Sequence, residues 1–494
     1  MTTDAHRDDV LDVAIIGAGL GGLCMAIRLL DAGIDRFRLF EKSKGVGGTW
    51  YENRYPGAAC DVPSHFYCFS FEPNPDWSRV YSPQPEILRY IEHCFDKYGV
   101  RPFVEHGREV VKLELDEAHA VWTVHFRGQA PVRARHVVNA GGGLHKPRWP
   151  DIPGRELFAG EQLHTALWDE TVSLSKRRVA IIGSAASAIQ VIPAIADRVR
   201  TLSVFQRTPN YIAPRHDGDY SQSTRRLFRR LPWLARLYRW WIFTRLDTFI
   251  YPLVKQRWLR RFLAMRVNWN MRRSVDNQDS HKALTPDYEL GCKRILISDD
   301  LYEVMNREHV TLVTDSIAGI EEAGIRTNDG VLHECDVIIY ATGFDISGHF
   351  ASIDVQGRDG QRLADLWADG EVGYNGCCVA GMPNYWMMSG PNTGVGTTSV
   401  IFMLEQITSY VAKLIAETGP GELLDVRQSV QNDYNDRLQQ ELKGTVWASG
   451  CDSWYLTDSD RITTLYPGSA RRFRRQLSLP DISDFRRSTA SVDD

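Results

Sequence analysis

The sequence predicts an α/β protein built from two strand–turn–helix units of the same design, with a helical insertion in the second unit. Three observations support this fold class. An apolar strand, a turn of small residues and a helix follow one another at residues 12–33, and the same order recurs at 177–196. A basic and aromatic stretch with mostly helical periodicity occupies residues 213–290.

The composition is that of an ordinary globular protein. The chain has 494 residues, of which 43% are hydrophobic and 24% charged, and its formal net charge is -4. It is long enough for two or three domains, and its slight acidity gives no reason to expect nucleic acid as a partner. The first residues, MTTDAHRDDV, do not resemble a signal peptide, and no apolar run reaches the roughly 18 residues of a membrane span.

The nine cysteines show no metal-ligand spacing, so we expect no metal site. Their odd number, without a secretory signal, is typical of reduced thiols in the cytoplasm. A cytoplasmic location is therefore the expectation from the sequence.

The first unit has the pattern of a Rossmann-type dinucleotide-binding turn. Gly17, Gly19 and Gly22 satisfy G-x-G-x-x-G between an apolar strand and a helix. These glycines permit a tight turn, a close approach of pyrophosphate and close packing of helix on strand. The next strand ends at Glu41, where an acid can bind an adenosine ribose.

The second unit repeats this pattern with a different turn. Two of the three motif glycines are alanine, and the expected cofactor-binding residues of the turn are Gly183, Ser184 and Ser187. Arg207 and Thr208 follow the next strand, at the position that Glu41 has in the first unit. A cation beside a hydroxyl favours a 2′-phosphate, so we expect NADPH rather than NADH.

Two strands that end in small residues, within 134–143 and 333–345, predict the crossings of the chain between the two units. The predicted organisation assigns 1–148 and 341–494, the latter with a C-terminal tail, to an FAD domain. It assigns 149–212 and 291–340 to an NADPH domain, and 213–290 to the helical insertion. The composition of the insertion favours its interpretation as a helical subdomain that caps a substrate cleft, with arginine side chains that extend to solvent. A helix lying on a membrane surface is the second interpretation.

Two further motifs resemble those of the Baeyer–Villiger monooxygenases, and the likeness runs from about residue 10 to 470. The stretch FAGEQLHTALWD fits the fingerprint F-x-G-x-x-x-H-T-x-x-W-[PD] at Phe158, Gly160, His164, Thr165, Trp168 and Asp169. The stretch GGTWYENRYPGAACD, residues 47–61, fits a second signature with Gly48, Trp50, Tyr55, Pro56, Gly57 and Asp61. The segments FQRTPN, GCKR and ATGFD are similar to the family's as well.

The resemblance implies an FAD-dependent, NADPH-consuming monooxygenase. Such an enzyme inserts one oxygen atom of O₂ beside a ketone carbonyl through a C4a-peroxyflavin and forms an ester or lactone. Arg294 in GCKR matches the family's active-site arginine, Asp61 matches its acidic partner, and Lys293 matches a ligand of the 2′-phosphate beside Arg207 and Thr208.

The remaining cofactor-binding candidates lie in the signature stretch and near the second crossing. They are Gly48, Thr49, Trp50, Tyr55, Asp61, Thr342, Gly343 and Asn392. Core packing is an alternative for Tyr55, and ordinary turn chemistry is an alternative for Asn392. In the family the fingerprint connects the two domains, so we expect His164 to adjust the domains; the alternative role is a general base.

Three rival functions fit parts of this pattern. An N- or S-oxygenating flavin monooxygenase would have less need of Arg294. A disulfide reductase shares the double fold but requires a redox cysteine pair, and the sequence has neither Cys-x-x-Cys nor Cys-x₄-Cys. An NADPH-sensing scaffold would bind a partner through the insertion and would need neither Arg294 nor Asp61.

Overall fold

A computed structural model describes residues 10–345, 352–394, 396–451, 455–457, 459 and 461–490. Its strands are β1 (Val10–Ile16), β2 (Phe37–Glu41), β3 (Val104–His106), β4 (Val110–Asp116), β5 (Val121–Phe126), β6 (Gln129–Asn139), β7 (Glu161–His164), β8 (Arg178–Ile182), β9 (Thr201–Phe205), β10 (Ile212–Ala213), β11 (Leu296–Ile297), β12 (Val310–Val313), β13 (Ile317–Glu321), β14 (Gly324–Thr327), β15 (Leu332–Glu334), β16 (Val337–Tyr340), β17 (Asp354–Gln356), β18 (Tyr385–Met387), β19 (Glu422–Val426) and β20 (Phe485–Thr489).

The α-helices are α1 (Leu20–Asp31), α2 (Thr49–Glu52), α3 (Gln84–Lys97), α4 (Ala188–Ile195), α5 (Gln222–Arg230), α6 (Pro232–Arg245), α7 (Arg257–Ser274), α8 (Gln278–Ala283), α9 (Leu301–Met305), α10 (Leu363–Leu366), α11 (Val400–Glu417), α12 (Gln428–Lys443) and α13 (Ala470–Gln476). Between α6 and α7 the chain continues as a π-helix (Leu246–Ile250) and a 3₁₀-helix (Tyr251–Val254).

The first unit is a sheet of strand order β17-β4-β5-β6-β1-β2-β3, and β18 also pairs with β6. Strand β1 is parallel to β2 and β6, whereas β4, β5 and β6 form an antiparallel meander. The end of β1 is an apolar run buried on both faces, as a central parallel strand requires. Helix α1 and the long apolar helix α11 pack together over this sheet.

The second unit is a parallel sheet of strand order β12-β9-β8-β16-β7. Strand β8 leads into α4, as the second small-residue turn predicts. The fingerprint contributes edge strand β7, which pairs with β16. The predicted fold class, two Rossmann-like units with a helical insertion, is therefore confirmed.

The chain crosses between the units at two segments that pair with each other. The Arg148 N–H donates to the Gly343 carbonyl at 3.0 Å, and Pro147 forms a bridge with Phe344. An ion pair of 2.7 Å joins Lys146 to Asp345. The two crossings therefore lie side by side and are hydrogen-bonded to each other.

The insertion leaves the second unit and returns to it through the short parallel pair of β10 and β11. Its helices α5 and α6 also contact the first unit. The Arg239 guanidinium donates to the carbonyls of His65, Phe66 and Cys68, and the Phe243 ring stacks on Phe402. The insertion thus covers part of both units.

The expectation of reduced thiols is wrong for two cysteines. Cys292 and Cys451 form a disulfide with a Cα–Cα distance of 6.4 Å, within the usual range for such bonds. They lie 159 residues apart, so only the tertiary structure brings them together. The other cysteines are free and buried. No helix of the described residues is long and apolar enough to cross a membrane.

Candidate active site at the junction of the units

The first glycine turn is closed tightly on helix α1. A Cβ at Gly22 would lie 2.0 Å from the Gly17 carbonyl oxygen, so only glycine permits this packing. Glu41 accepts hydrogen bonds from the N–H groups of Ala18 and Ser43, each at 2.8 Å, and so anchors the turn. No side chain of the described residues caps α1, which leaves its first N–H groups available to a phosphate.

The signature stretch 47–61 lies against this turn. Gly19 and Gly48 are in contact, and a Cβ at Gly48 would lie 3.0 Å from the Gly19 Cα. Thr49 begins the short helix α2, and the Trp50 indole N–H donates to the Tyr67 hydroxyl at 3.0 Å. The first glycine turn and the signature stretch therefore form one continuous surface of the first unit.

Asp61, at the end of this stretch, forms an ion pair with Arg294, which follows the insertion. The Arg294 side chain is 55% exposed and that of Asp61 34% exposed, so both can reach a bound molecule. The Asp61 carboxylate raises the pKa of Arg294 further, against the opposing effect of desolvation. The guanidinium is therefore a permanent positive charge at the junction between the signature stretch and the chain that follows the insertion.

A thiol and two tyrosine hydroxyls lie within electrostatic range of this pair. Burial raises the pKa of Tyr67 and of the Cys60 thiol, and both groups lie close enough to Arg294 for its charge to lower them slightly. Burial also raises the pKa of Tyr455, which Arg294 again lowers. The sequence did not predict that Tyr67 and Cys60 lie near this pair, because nothing in their spacing distinguishes them from core residues.

The second glycine turn is connected to the loop that carries Lys293. The Ser184 hydroxyl donates to the Thr208 carbonyl at 3.1 Å, and the Asn210 amide donates to the Ser184 carbonyl at 3.1 Å. The Tyr288 hydroxyl donates to Asn210 at 3.5 Å, and the Lys293 ammonium lies 5.0 Å from the Tyr288 ring centre. The structure thus connects this turn to the Lys293 loop, while the Arg207 side chain is exposed.

His164 of the fingerprint lies at both crossings. Its Nδ1 accepts from the Ala166 N–H at 3.0 Å, so the neutral ring carries its proton on Nε2. Nε2 is 3.3 Å from the Thr342 hydroxyl, which donates to the Arg148 carbonyl at 2.6 Å. Desolvation lowers the pKa of His164, which favours this neutral form.

The other fingerprint residues have local roles. Phe158 is in an apolar core of the second unit, and a Cβ at Gly160 would lie 2.4 Å from the Asp336 carbonyl. Thr165 is fully buried, and Trp168 packs against the large core of the same unit. Asp169 is exposed and accepts from the Thr171 N–H and hydroxyl at 2.8 and 2.6 Å.

Tyr55 joins the two units. Its side chain packs against the core of the second unit, and its hydroxyl donates to the Gln190 side-chain oxygen at 2.9 Å. Gln190 also donates to the Ala59 carbonyl at 3.0 Å. Burial raises the pKa of Tyr55, and a hydrogen bond with Ser187 lowers it. Gln190 is a joint between helix α4 and the signature stretch that the sequence did not reveal.

Asn392 has its side chain occupied within the protein. The amide is buried and donates to the carbonyls of Ile462 and Leu465, each at 2.8 Å. Its φ of 55° is that of a turn residue. Gly343, by contrast, lies in the second crossing, where its carbonyl accepts from Arg148. Asn392 therefore has a structural role, whereas Gly343 lies where the two crossings meet.

Comparison with known proteins places this geometry in a family. Residues 15–83 match a family described as an NAD(P)-binding Rossmann-like domain. A Baeyer-Villiger monooxygenase of Pseudomonas aeruginosa is 40% identical over 490 residues, with 97% of this chain and 92% of that protein covered. A Baeyer-Villiger monooxygenase of Streptomyces coelicolor is 38% identical over 478 residues, covering 96% and 92%.

Solved structures agree over nearly the whole chain. OTEMO in complex with FAD and NADP is 28% identical, has a TM-score of 0.88, and is covered to 99% by 97% of this chain. Cyclohexanone monooxygenase from Rhodococcus sp. Phi1 bound to NADP+ has the same identity, TM-score and coverage. The chain therefore belongs to the Baeyer–Villiger monooxygenase family.

Proposed function

We propose that this protein uses NADPH, FAD and O₂ to insert one oxygen atom beside the carbonyl of a ketone, which yields an ester or lactone. FAD binds the first unit at Gly17, Gly19, Gly22 and Glu41, and NADPH binds the second at the 183–188 turn. Supporting this, the relatives named above are Baeyer-Villiger monooxygenases, and the OTEMO structure holds FAD and NADP. Bound FAD, reduced by NADPH, supplies the redox chemistry that activates O₂.

The observation that carries the proposal is the ion pair of Asp61 and Arg294. It joins the end of the signature stretch in the first unit to the chain that leaves the insertion. This is the junction where a molecule bound to both units would react. A non-enzymatic scaffold has no use for an accessible cation aimed by an acid at this place.

Arg294 stabilises negative charge that develops on oxygen during the transfer, and Asp61 sets the direction of the guanidinium. A fixed, pre-oriented charge of this kind lowers a barrier because it requires no reorganisation during the reaction. Arginine suits the role because it stays protonated and presents several donors. Tyr67 and Cys60 are uncharged at neutral pH, and burial raises the pKa of each further, so neither competes with the substrate for Arg294.

The 2′-phosphate of NADPH is bound by Arg207, Thr208 and Lys293. The hydrogen bonds from Ser184 to Thr208 and from Tyr288 to Asn210 hold the two segments near each other. His164 acts as a positioning residue. Its hydrogen bond to Thr342 couples the fingerprint to both crossings, where a small change in backbone angle reorients the units.

The test is a panel of cyclic, linear and aryl ketones with NADPH and isotopically labelled O₂, read by mass spectrometry. We expect an ester or lactone that carries one labelled oxygen atom. Amines and thioethers belong in the same panel. Oxygenation of those compounds without any ester from a ketone would replace this proposal by an N- or S-oxygenating function.

A cytoplasmic location stays a prediction. The disulfide of Cys292 and Cys451 removes the argument from reduced thiols that supported it.

A further inference from the structure

The helical insertion exposes an unusual set of large apolar side chains. More than half of the large apolar residues that are exposed in the described chain lie between residues 227 and 269. Those with 51 to 69% exposure in α6, α7 and the segment between them are Trp233, Leu237, Trp240, Phe249, Trp258, Phe262, Met265 and Trp269. A monomeric soluble protein rarely leaves so many such side chains in one segment without a partner.

In α7 these side chains form a single stripe. At 100° per residue, Trp258, Phe262, Met265 and Trp269 fall within about 60° of one another around the helix axis. The opposite side of the helix is buried through Val267 and Met271. The helix therefore has two apolar sides, of which only one is needed for packing on the protein.

Helix α6 repeats this arrangement. Trp233, Leu237 and Trp240 follow the same helical spacing and are exposed, whereas Ala235 and Ile242 are buried on the opposite side. The buried sides of both helices serve the subdomain that covers the two units. Packing within the protein therefore does not explain why the exposed sides of α6 and α7 are also apolar.

Positive charge accompanies the stripes. Residues 221–275 contain thirteen Arg, one Lys and a single acid, Asp247, although the whole chain has a net charge of -4. Asp247 is buried and pairs with Arg471. The arginines on the two margins of the α7 stripe are exposed and have no acidic partner among the described residues; they are Arg261, Arg266, Arg272 and Arg273.

We propose that α6 and α7 bind the surface of an anionic lipid bilayer, with their exposed stripes in the interfacial region and their arginines on lipid phosphates. An apolar stripe with aromatic residues, edged by arginines, is the pattern of a helix that lies in the membrane interface. Tryptophan prefers that region, and arginine interacts with anionic headgroups. The contact is superficial, since no described helix can span a bilayer.

The same observations disfavour two other occupants. A second copy docked on this face would oppose one set of arginines to another, because a twofold contact matches identical surfaces. Nucleic acid is bound by cations that neutralise its phosphates, whereas the centre of the α7 stripe is apolar and would lack a partner on such a ligand. The inference does not depend on ketone chemistry.

The test measures the flotation of FAD-loaded protein with vesicles of phosphatidylcholine alone or with one quarter phosphatidylglycerol. We expect binding to the anionic vesicles, weaker binding in about 0.5 M salt, and a blue shift of tryptophan fluorescence. The triple variant Trp258→Ser, Phe262→Ser, Trp269→Ser should lose vesicle affinity by tenfold or more, on the order expected for three large apolar side chains.

A charge variant and a surface control separate the two contributions. Replacing Arg261, Arg266 and Arg272 by Gln should weaken binding to anionic vesicles roughly a hundredfold, at about fivefold for each charge. Leu479→Ser, which changes an exposed apolar residue outside the insertion, should bind as the unaltered protein does.

Retained FAD and an unchanged melting temperature show that each variant is folded. The proposal is overturned if the unaltered protein does not float with anionic vesicles, or if the stripe variant floats equally well. If the unaltered protein does not bind vesicles but sediments as a dimer, and the stripe substitutions dissociate that dimer, a second copy is the occupant instead.

Discussion

Replacing Arg294 by Ala removes the permanent positive charge at the junction, and its consequence for the reaction can be worked out. Two unit charges about 4 Å apart at an effective dielectric constant of about 20 interact by roughly 4 kcal/mol. If that energy is gained only in the transition state, it corresponds to about a thousandfold in rate. Because the side chain is 55% exposed, solvent screens part of the effect, and we expect a loss of about a hundredfold or more in ester formation.

The assay separates the two halves of the reaction. Anaerobic reduction of bound FAD by NADPH, followed by stopped-flow absorbance, should keep its normal rate in Arg294→Ala. Ester formation, measured by gas chromatography, should fall. The consumed NADPH should still be oxidised to NADP+, and its electrons should reduce O₂ to hydrogen peroxide. Arg294→Lys should lie between the two proteins, because it keeps the charge but not the several donors of arginine.

The matched control is Arg127→Ala, which breaks the exposed ion pair of Arg127 with Glu109 at 2.7 Å. It should leave both half-reactions unchanged, because exposed ion pairs contribute little. Ester formation by Arg294→Ala at close to the normal rate, with FAD still bound, would refute the electrostatic role.

Other variants test the cofactor site, the packing and the pH response. Arg207→Ala should raise the KM for NADPH about tenfold or more and leave that for NADH almost unchanged, since it removes charge-assisted bonds to the 2′-phosphate. Gly22→Ala should cost roughly 1–3 kcal/mol of stability and weaken FAD binding, because its Cβ would meet the Gly17 carbonyl at 2.0 Å. Cys292→Ser should lower the free energy of unfolding by about 2–4 kcal/mol, the usual value of a disulfide. Burial lowers the pKa of His65 to about 4, whereas that of histidine in the unfolded chain is about 6.5. As the pH falls from 6.5 to 4, the unfolded chain binds a proton at this residue more readily than the folded protein does. The free energy of unfolding should therefore fall by about 3 kcal/mol over this range.

Controls and contradicting outcomes can be stated for these variants. Equal effects of Arg207→Ala on NADPH and NADH would remove the 2′-phosphate assignment, and full FAD binding by Gly22→Ala at normal stability would contradict the packing argument. Gly218→Ala, at a glycine with open space around its Cβ position, is the control for the latter. Cys335→Ser is the control for Cys292→Ser, because it removes a free buried thiol. The disulfide of Cys292 and Cys451 should remain intact in this control, and mass spectrometry detects it as a mass lower by two hydrogens.

The pH response is isolated by comparing melting curves of the unaltered protein with those of His65→Gln. His65 is 2% exposed and meets the rings of Tyr220, Phe228 and Tyr238 in the insertion. Arg239, which bonds to the His65 carbonyl, also disfavours a charge there. Buried His136 acts in the same direction with a pKa lowered to about 3, so part of the loss should persist in the variant. Identical curves for the two proteins would show that His65 does not titrate as proposed.

The architecture could be predicted well from local patterns. The apolar run of β1, the glycine turn and the amphipathic helix α1 occur in the predicted order, and the second unit repeats them despite its alanine turn. The resemblance to the family also implied that Asp61 and Arg294 belong together, although 233 residues separate them. The structure places them in contact, but whether they perform the proposed chemistry stays a prediction.

Other features had no local signal. The disulfide of Cys292 and Cys451 depends on two loops meeting in space, and the sequence interpretation assigned both cysteines to reduced thiols. Gln190 looked like an ordinary helix residue, yet it ties α4 to Tyr55 and Ala59. The exposed sides of α6 and α7 also had no local signal, because exposure cannot be read from composition.

What the sequence determined by itself is therefore the identity of the units, since strand and helix periodicity and glycine turns depend on neighbouring residues. Only the tertiary structure decided which sides of α6 and α7 remain exposed and how His164 contacts both crossings. The physical reason is that burial and long-range hydrogen bonds depend on which distant surfaces pack together. In a helix with two apolar sides, the sequence alone does not show which side packs on the protein and which side stays exposed.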